Sequence, residues 1–584
     1  MAGYGKENRQ GRLPREQSFD VVIVGGGING ISVYRELSLQ GVKVLLVEKD
    51  DFCSKASAAL SRMIHGGLRY LENGEFALVR ESLAERNRLL TNAPHVVKPL
   101  VTTIPIFSRW SGLFYALFNF TGLMDKPSRR GALVIQLGLW FYDFFTRNDQ
   151  QLPKHRFLSK TETIRRWPHF EPGVIRSADY FDAWISAPER LAMEVLQDTG
   201  EDSASVACNY TELVGRDGKQ LTIRDVLTGE TAVITTDKLV NATGAWVDQT
   251  NDRLGVASGY LQGTKGSHMI VRHPALLAEL DGHMVFYENP EGRVCILFPY
   301  FGNVLIGSTD IPVADPDAVT CTTEEVDYML DSLKAVFPDF TIRHEDIVYR
   351  FSGVRPLPSV KTSTTGQIPR SHALKVEPTE DGQATLYSLV GGKWTTFRAF
   401  GAEVADRILS DLHRKREIST VNRAIGGGFR FPQTDIERQA LIQDVVNQYG
   451  LSQTRFTQLL TRYGTSCLHM LDDLTAQQDA PLESLPDYSE REIAYLIHHE
   501  SVCRTLDVLQ RRTSVAIQGR VNHAVLAEVT ALVARQLGWN AQETKRDLAE
   551  SCRQLREYHG LDVNAEAVEQ IWAGSFSGGN YVYQ

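Results

Sequence analysis

The stretch SRMIHGGLRYLENGEF, residues 61–76, places three chemically distinct side chains on one glycine corner. His65 has an imidazole that titrates near neutral pH and can act as a general base. Arg69 is a permanent planar cation suited to oxyanions, and Tyr70 is a phenol that can line a pocket. The two glycines between them allow a close approach to the backbone. This composition is typical of one wall of a reactive site.

A phosphate-binding pattern lies upstream, in GGGING at residues 25–30. It stands between VVIV, an apolar run typical of a buried parallel strand, and a helical segment. In such a turn Gly25 makes the tight bend, Gly27 lets the backbone approach a pyrophosphate, and Gly30 packs helix on strand. Glu48 ends the next apolar run, where a carboxylate binds ribose hydroxyls and disfavours a 2′-phosphate. The pattern predicts a dinucleotide site that does not take NADP.

Two further corners of this kind follow at long intervals. KLVNATGAWVDQ, residues 238–249, is an apolar strand that ends in a turn of small residues, and the segment 386–409 repeats strand, glycines and helix. An enclosed flavin must be held at its adenine, pyrophosphate and ring system by distant segments. The three corners therefore predict FAD as the cofactor rather than NAD.

The chain between these corners has the pattern of a second domain, because runs such as SHMIVRH and VCILFPY alternate with Gly, Asn or Pro turns. We predict an α/β fold class in which residues 19–424 form an oxidoreductase region and 425–584 an α-helical C-terminal domain, after a disordered N-terminus at 1–18. The region combines a discontinuous Rossmann-like FAD-binding domain (about 19–99, 191–261 and 353–424) with a mostly antiparallel β substrate domain (about 100–190 and 262–352).

The composition excludes several classes of function. A net charge of −9 over 584 residues leaves no general footprint for nucleic acid. The seven cysteines include no C-x-x-C pair, which favours a reducing compartment and predicts no metal site. The polar N-terminal segment lacks an apolar core, so we expect it to be neither a secretory signal nor a membrane span.

Two very apolar segments, residues 111–124 and 132–145, are each shorter than the ~20 residues needed to cross a bilayer. The turn between them carries Lys126, Arg129 and Arg130, which suit lipid headgroups. We predict that residues about 104–145 dip into one leaflet as a monotopic membrane contact. A pair of buried helices under a loop is the alternative.

The chain resembles the FAD-dependent glycerol-3-phosphate dehydrogenases, within the D-amino-acid-oxidase-like flavoproteins. The resemblance rests on GGGING, SRMIHGGLRYLENGEF, LVNATGAWV, KGSHMIV, LIGSTD, FSGVRPL, GGKWTTFR and HHESVCRTLDVLQRRT, which follow the family order from about residue 19 to 515. It implies oxidation of sn-glycerol 3-phosphate to dihydroxyacetone phosphate, with FAD as hydride acceptor and a membrane quinone as electron acceptor. It also implies a peripheral position on the cytoplasmic face of the inner membrane, and it leaves open whether the protein is a homodimer.

For a phosphorylated substrate, the resemblance assigns Arg69 and Arg355 of SGVRPL as guanidinium clamps on the phosphate. Tyr70 is the third expected contact. Thr309 and Asp310 of GSTD lie on another corner that we expect at the same pocket.

Alcohol oxidation also needs a base for the hydroxyl proton, and the sequence leaves this role open between His65 and His268. Lys393 is expected to hold either the substrate oxygen or the flavin. The candidate cofactor-binding residues are Gly25, Gly27, Gly30, Glu48, Ser61, Gly66, Gly67, Thr243, Gly244, Gly391, Gly392 and Thr395.

Two departures from the family pattern concern the pocket beyond the phosphate. The stretch SKASAALS, residues 54–61, has Ala and Leu where serines are common, and WISAPERL at 184–191 replaces paired aspartates after a Trp. A longer polyol phosphate, such as a tetritol phosphate, is therefore an alternative substrate. An oxygen-dependent glycerol-3-phosphate oxidase is a second possible function, and a flavin-binding scaffold without activity is a third.

Overall fold

The structure is a computed structural model that describes residues 13–67, 75–108, 132–146, 151–199, 203–359 and 371–575. Arg69 and Tyr70 lie outside the described residues, and so does the basic turn at 125–130. Within these ranges, no helix combines the length and the apolar character needed to cross a bilayer.

The regular elements alternate along the first two thirds of the chain and are helical afterwards. The strands are β1 Val21–Val24, β2 Val44–Val47, β3 Met63–Ile64, β4 Val97–Ile106, β5 Arg156–Leu158, β6 Arg176–Ile185, β7 Val206–Cys208, β8 Thr211–Asp217, β9 Gln220–Asp225, β10 Thr231–Thr235, β11 Lys238–Asn241, β12 Leu261–Val271, β13 Met284–Glu288, β14 Val294–Tyr300, β15 Asn303–Gly307, β16 Ile311–Val313, β17 Ile347–Pro358, β18 Ala373–Pro378 and β19 Thr385–Val390. The helices are α1 Ile28–Ser38, α2 Phe76–Asn92, α3 Ala132–Thr146, α4 Lys160–Arg166, α5 Pro188–Gln197, α6 Val247–Arg253, α7 Pro274–Leu280, α8 Thr323–Leu333, α9 Phe397–Asp411, α10 Asp435–Tyr449, α11 Gln453–Tyr463, α12 Leu471–Thr475, α13 Glu490–His499, α14 His523–Leu537, α15 Ala541–His559 and α16 Ala565–Ser575.

One sheet joins strands from three distant segments in the order β18-β19-β11-β1-β2-β7. β1 pairs in parallel with both β2 and β11, and β11 pairs in parallel with β19. Strands β1 and β2 are wholly apolar and buried, as expected for a sheet covered on both faces. The arrangement confirms the predicted discontinuous Rossmann-like domain and brings the three corners to the carboxyl ends of neighbouring strands.

A second sheet has the order β16-β12-β15-β14-β13-β4-β6-β3, with β17 added on β12 and β5 on β6. Its pairs are antiparallel except that of β13 with β4. The long β12–β17 pair aligns His268 with Phe351 and Thr264 with Arg355. This sheet is the mostly antiparallel β-structure that the sequence predicts, and it carries two of the predicted site residues on one strand pair.

The C-terminal region, residues 435–575, is helical as predicted, with a π-helical segment at Asp507–Arg512. Its buried side chains form one continuous core with a face of the second sheet. Leu460 and Leu509 from the C-terminal region belong to the same cluster as Ile270 and Phe298 from the sheet. The region is therefore packed onto the rest of the molecule rather than tethered to it.

Candidate active site

The cofactor turn, residues 25–30, joins β1 to α1 and requires glycine for steric reasons. Gly25 has φ +109°, and a Cβ there would lie 2.6 Å from the carbonyl oxygen of Ala242. A Cβ at Gly30 would lie 2.0 Å from the carbonyl oxygen of Gly25. Gly27 caps α1, so the first amides of the helix face the turn. Such a helix N-terminus is a ready site for a pyrophosphate.

Glu48 lies beside this turn at the end of β2. Its carboxylate accepts hydrogen bonds from the amides of Gly26 (2.7 Å) and Asp50 (2.9 Å). Burial raises its pKa to about 7. The hydroxyl of Ser57 accepts a hydrogen bond from the amide of Ile28 at 3.0 Å, a contact that the sequence reasoning missed. The available signal was the one serine left in the middle of SKASAALS.

The second and third corners complete a cradle that fits a dinucleotide. Gly244, next to Thr243, has φ +61°, and Gly391 and Gly392 have φ +75° and +103°. Asn29 donates a hydrogen bond from Nδ2 to the carbonyl of Gly391 at 3.2 Å. Its Oδ1 is buried and has no hydrogen-bond partner among the described residues. An acceptor left open between glycine corners fits the polar groups of FAD.

His65 follows β3 and joins two of the predicted segments. Its amide donates to the hydroxyl of Thr395 at 3.3 Å, within the turn that follows Gly392. Burial, assisted by the charge of Lys393, lowers the pKa of His65 to about 3. The ring is therefore neutral at physiological pH.

A buried polar network that the sequence reasoning missed holds Gly66. Its amide points at the hydroxyl of Tyr142 (3.0 Å) and at Oδ1 of Asp182 (3.2 Å). Arg86 donates from Nη1 to the same carboxylate oxygen at 3.1 Å, and Tyr142 donates to it as well. No sequence signal links these residues. Tyr142, on α3, even belongs to the segment that the sequence predicts to contact a membrane.

His268 lies on β12 and is buried. The hydroxyl of Ser61, which the sequence analysis places at the cofactor, is hydrogen-bonded to Nε2 of His268 at 2.8 Å. The imidazole stacks on Phe351 with ring centroids 5.1 Å apart. Burial, followed by the charge of Arg355, lowers the pKa of His268 to about 3. This ring is also neutral at physiological pH.

Arg355 on β17 has an oriented guanidinium. Nη1 donates to Oδ1 of Asp310 at 2.9 Å and to the carbonyl of Thr309 at 3.2 Å. The group lies flat against Gly266, where a Cβ would be 2.1 Å from Nη2. The Arg355 side chain is 28% exposed, so part of it is reached by solvent. Asp310 therefore acts on the orientation of Arg355.

The hydroxyl of Thr309 serves the interior instead. It donates to Oε1 of Glu325 at 2.7 Å and accepts from the amide of Ser267 at 2.9 Å. Lys265 forms an ion pair with Oε2 of the same Glu325 at 2.7 Å. Thr309 therefore contributes to the site through its carbonyl oxygen, which accepts a hydrogen bond from Arg355.

Lys393 follows the two glycines of the third corner and is half-buried. Its ammonium group donates a hydrogen bond to the hydroxyl of Ser82 on α2. Burial outweighs the carboxylates of Glu81 and Asp182 and lowers the pKa of Lys393 to about 8. The structure thus groups Lys393 with His65, and Arg355 with His268, and residues 61–65 connect the two groups.

Comparisons with known proteins agree with this geometry. Residues 20–407 match the family model described as FAD dependent oxidoreductase, and residues 418–544 match the C-terminal domain of alpha-glycerophosphate oxidase. The glycerol-3-phosphate dehydrogenase of Synechocystis sp. is 31% identical over 93% of this chain and 96% of its own length. Glycerol-3-phosphate dehydrogenase 2 of Mycobacterium bovis is 30% identical over 92% of this chain and 88% of its own length.

The fold has a solved counterpart. The X-ray structure of the glycerol-3-phosphate dehydrogenase from Bacillus halodurans, complexed with FAD, superposes with a TM-score of 0.72 at 22% identity. The match covers 94% of this chain and 97% of the other. The chain therefore belongs to the family of FAD-dependent glycerol-3-phosphate dehydrogenases, and its cofactor is FAD.

Proposed function

We propose that the protein oxidises sn-glycerol 3-phosphate to dihydroxyacetone phosphate and passes the electrons to a membrane quinone. The observation that carries the substrate class is the guanidinium of Arg355, held by Asp310 and by the carbonyl of Thr309. It is close enough to His268 to lower the pKa of that ring. A fixed guanidinium beside a neutral imidazole suits a substrate that carries both a phosphate and a hydroxyl.

The residues divide the work by their charge at neutral pH. Arg355 binds two phosphate oxygens through the N–H donors on the edge of its planar guanidinium, with Arg69 as the second clamp. His65 or His268 is the proposed acceptor of the hydroxyl proton, because burial keeps each ring neutral at physiological pH. Lys393 holds the substrate oxygen. When bound, FAD supplies the acceptor for the hydride that leaves the substrate carbon.

The substrate is tested by anaerobic reduction of the holoenzyme, which is monitored as loss of the flavin absorbance. The panel is sn-glycerol 3-phosphate, tetritol phosphates and unphosphorylated glycerol at matched concentrations. We expect glycerol 3-phosphate to bleach the flavin fastest. Faster bleaching by a tetritol phosphate would move the assignment to that substrate, and no bleaching by any polyol phosphate would favour a flavin-binding scaffold.

The test of the acceptor compares a short-chain quinone under anaerobic conditions with oxygen alone. We expect continuous turnover with the quinone and slow peroxide formation without it. Rapid peroxide production in the absence of quinone would identify an oxygen-dependent oxidase instead.

We propose that the protein lies at the cytoplasmic face of a membrane, and helix α3 supports a contact with lipid. Leu139 and Tyr142 on one side are buried against the protein, whereas Trp140 and Phe144 are 55% and 42% exposed. The two exposed rings stack on each other with centroids 5.8 Å apart. Exposed aromatic pairs of this kind suit the interfacial layer of a bilayer.

The matched test replaces Trp140→Ser and Phe144→Ser together and measures flotation with phospholipid vesicles. The control is Ile436→Ser, because Ile436 on α10 is 83% exposed and lies in the C-terminal region. We expect the double variant to lose vesicle binding while keeping anaerobic flavin reduction by glycerol 3-phosphate. Equal flotation of the double variant and the wild type would contradict this surface.

A further inference from the structure

Two arginines of the C-terminal region reach a carboxylate in the loop that follows β2 of the cofactor-binding sheet. Arg512 donates from Nη1 and Nη2 to the two oxygens of Asp51, at 2.7 and 2.9 Å. Arg511 donates from Nε to Oδ2 of the same carboxylate. The carboxylate and both guanidinium groups are almost completely buried. This contact therefore stands in the interior of the junction between the two parts.

The charges are balanced locally. Arg511 also donates to Oδ1 of Asp507 at 2.6 Å, and Asn209 donates to Oδ1 of Asp51 at 2.8 Å. The two guanidinium groups hold the pKa of Asp51 well below its usual range. Removing one partner from such a buried set strands the other charges, which makes the set respond as a unit.

Asp51 belongs to the loop that presents Glu48. The amide of Asp50, one residue before Asp51, donates to Oε1 of Glu48 at 2.9 Å. On the other side of the loop, the amide of Cys53 donates to the carbonyl of Gly26 at 2.9 Å, and the amide of Gly26 donates to Oε2 of Glu48. A shift of Asp51 would therefore move the amide that orients the Glu48 carboxylate.

We propose that Arg511 and Arg512 are positioning residues for the cofactor: by fixing Asp51, they hold Glu48 where it binds the ribose of the adenosine half of FAD. The C-terminal region thus contributes to cofactor retention although it supplies no group to the cradle. This inference rests on the proposed role of Glu48 in the cofactor site.

A docking role alone would be shared by other buried pairs across the same junction. Arg190 on α5 offers such a pair, because it donates to Glu500 of the C-terminal region through two N–H groups and is similarly buried. Within the part of the chain that the structure describes, the Arg190 guanidinium bonds to neither Asp51 nor Glu48. Its link to Asp51 is indirect, because the carbonyl of Glu500 accepts a hydrogen bond from Nε of Arg512 at 2.8 Å. Arg190→Lys is therefore the matched control for Arg511→Lys, since each keeps the positive charge and loses the planar fork.

The experiment measures release of FAD from diluted holoenzyme as the rise in flavin fluorescence, with the melting temperature recorded for each variant. We expect Glu48→Gln to accelerate release and Arg511→Lys to accelerate it roughly tenfold, the scale of one lost charge-assisted hydrogen bond. Arg190→Lys should change release less than about twofold at a similar melting temperature. In the Glu48→Gln background, Arg511→Lys should add no further acceleration.

Three outcomes would overturn the inference. Equal acceleration by Arg511→Lys and Arg190→Lys would reduce the contact to docking, and so would full additivity of Arg511→Lys with Glu48→Gln. No effect of Glu48→Gln would remove the assigned role of Glu48 as well, whereas flavin bleaching by glycerol 3-phosphate in the wild type tests the proposed reaction separately. If Arg511→Lys does not fold, Asn209→Ala removes a single donor to Asp51 and carries the same expectations.

Discussion

In the cofactor turn, residues 25–30, backbone atoms form the binding surface. In the proposed substrate site, side chains form it. We define the substrate wall as His65, His268, Arg355 and Lys393. Gly25 and Gly30 of the turn are each required because a Cβ would collide with a neighbour's backbone oxygen. The side chains of His268, Arg355 and Lys393 in the wall are held by residues far away in sequence, as Lys393 is held by a serine 311 positions earlier. Substitutions in the turn should therefore abolish FAD binding, whereas substitutions in the wall should lower activity only in part.

The largest effect is expected for Gly30→Ala. The new Cβ would stand 2.0 Å from the carbonyl oxygen of Gly25, so the start of α1 must move away from β1. Overpacking of this kind costs about 1–3 kcal/mol of unfolding free energy, and here it displaces the amides that face the pyrophosphate. We expect purified Gly30→Ala protein to contain almost no flavin, measured by absorbance after denaturation.

The control for this variant is Gly259→Ala, because a Cβ at that exposed glycine meets no atom within 4 Å. It should bind FAD as the wild type does. Full flavin content in Gly30→Ala would show that the turn tolerates a displaced helix, and the proposed contrast with the wall would be lost.

A smaller but selective effect is expected for Arg355→Ala. We propose that the Arg355 guanidinium makes two charge-assisted hydrogen bonds to phosphate, and their loss should lower kcat/KM for glycerol 3-phosphate by roughly 10²- to 10³-fold. The residual activity with unphosphorylated glycerol should fall much less, because that substrate has no phosphate to bind. Arg343→Ala, at an exposed arginine in an ion pair with Glu345, is the matched control. An equal loss with both substrates would count against the clamp.

The contrast between turn and wall also explains how far the sequence could be interpreted. The glycines of the turn, the parallel strands around it and the antiparallel second sheet depend on local periodicity and on backbone sterics. Gly25, for example, has the positive φ that the fingerprint requires. These features are encoded within a few residues, so the fold class and the cofactor could be predicted.

The hydrogen-bond partners of the wall residues depend on tertiary pairing, so they could not be predicted from the sequence. Ser61 is predicted at the cofactor, yet its hydroxyl bonds to His268, 207 residues away. The hydroxyl of Thr309 is taken up by Glu325, which no motif marks. The network of Asp182 was missed for the same reason, since its members come from three separate elements. The roles of the individual wall residues stay predictions.

Acidification should lower the free energy of unfolding through the two histidines of the wall. His65 and His268 have folded-state pKa values of about 3, below the value near 6.5 in the unfolded chain, so the unfolded state binds more protons between those values. The free energy of unfolding should then fall on acidification from pH 6.5 toward 3, by up to about 1.4 kcal/mol per pH unit for each ring.

Unfolding in urea at several pH values between 4 and 7 measures this slope. His268→Gln and His65→Gln should each make the dependence on pH shallower by about one bound proton. Unchanged slopes in both variants would mean that neither imidazole stays neutral in the folded protein, and the histidines would lose their place as proton acceptors.

The smallest effect, and the one that separates the two regions most directly, is expected for Ser61→Ala. The hydroxyl of Ser61 bonds to His268, but the imidazole is also held by its stack on Phe351 and by Gly307, where a Cβ would be 2.2 Å from the ring. The ring should therefore keep its place, and kcat should fall only about threefold to tenfold, the scale of one neutral hydrogen bond. Ser57→Ala is the partner variant, because Ser57 bonds to the start of α1.

If Ser61 serves the wall, Ser61→Ala should lower kcat and leave the rate of FAD release unchanged. Ser57→Ala should do the opposite, since it loosens the helix N-terminus of the turn, and among the described residues the Ser57 hydroxyl bonds to Ile28 rather than to a residue of the wall. Faster FAD release from Ser61→Ala at unchanged kcat would instead assign Ser61 to the cofactor site, as the sequence predicts. Because the two serines are only four positions apart in the chain, such a crossing of effects would follow from their bonding partners rather than from their place in the sequence.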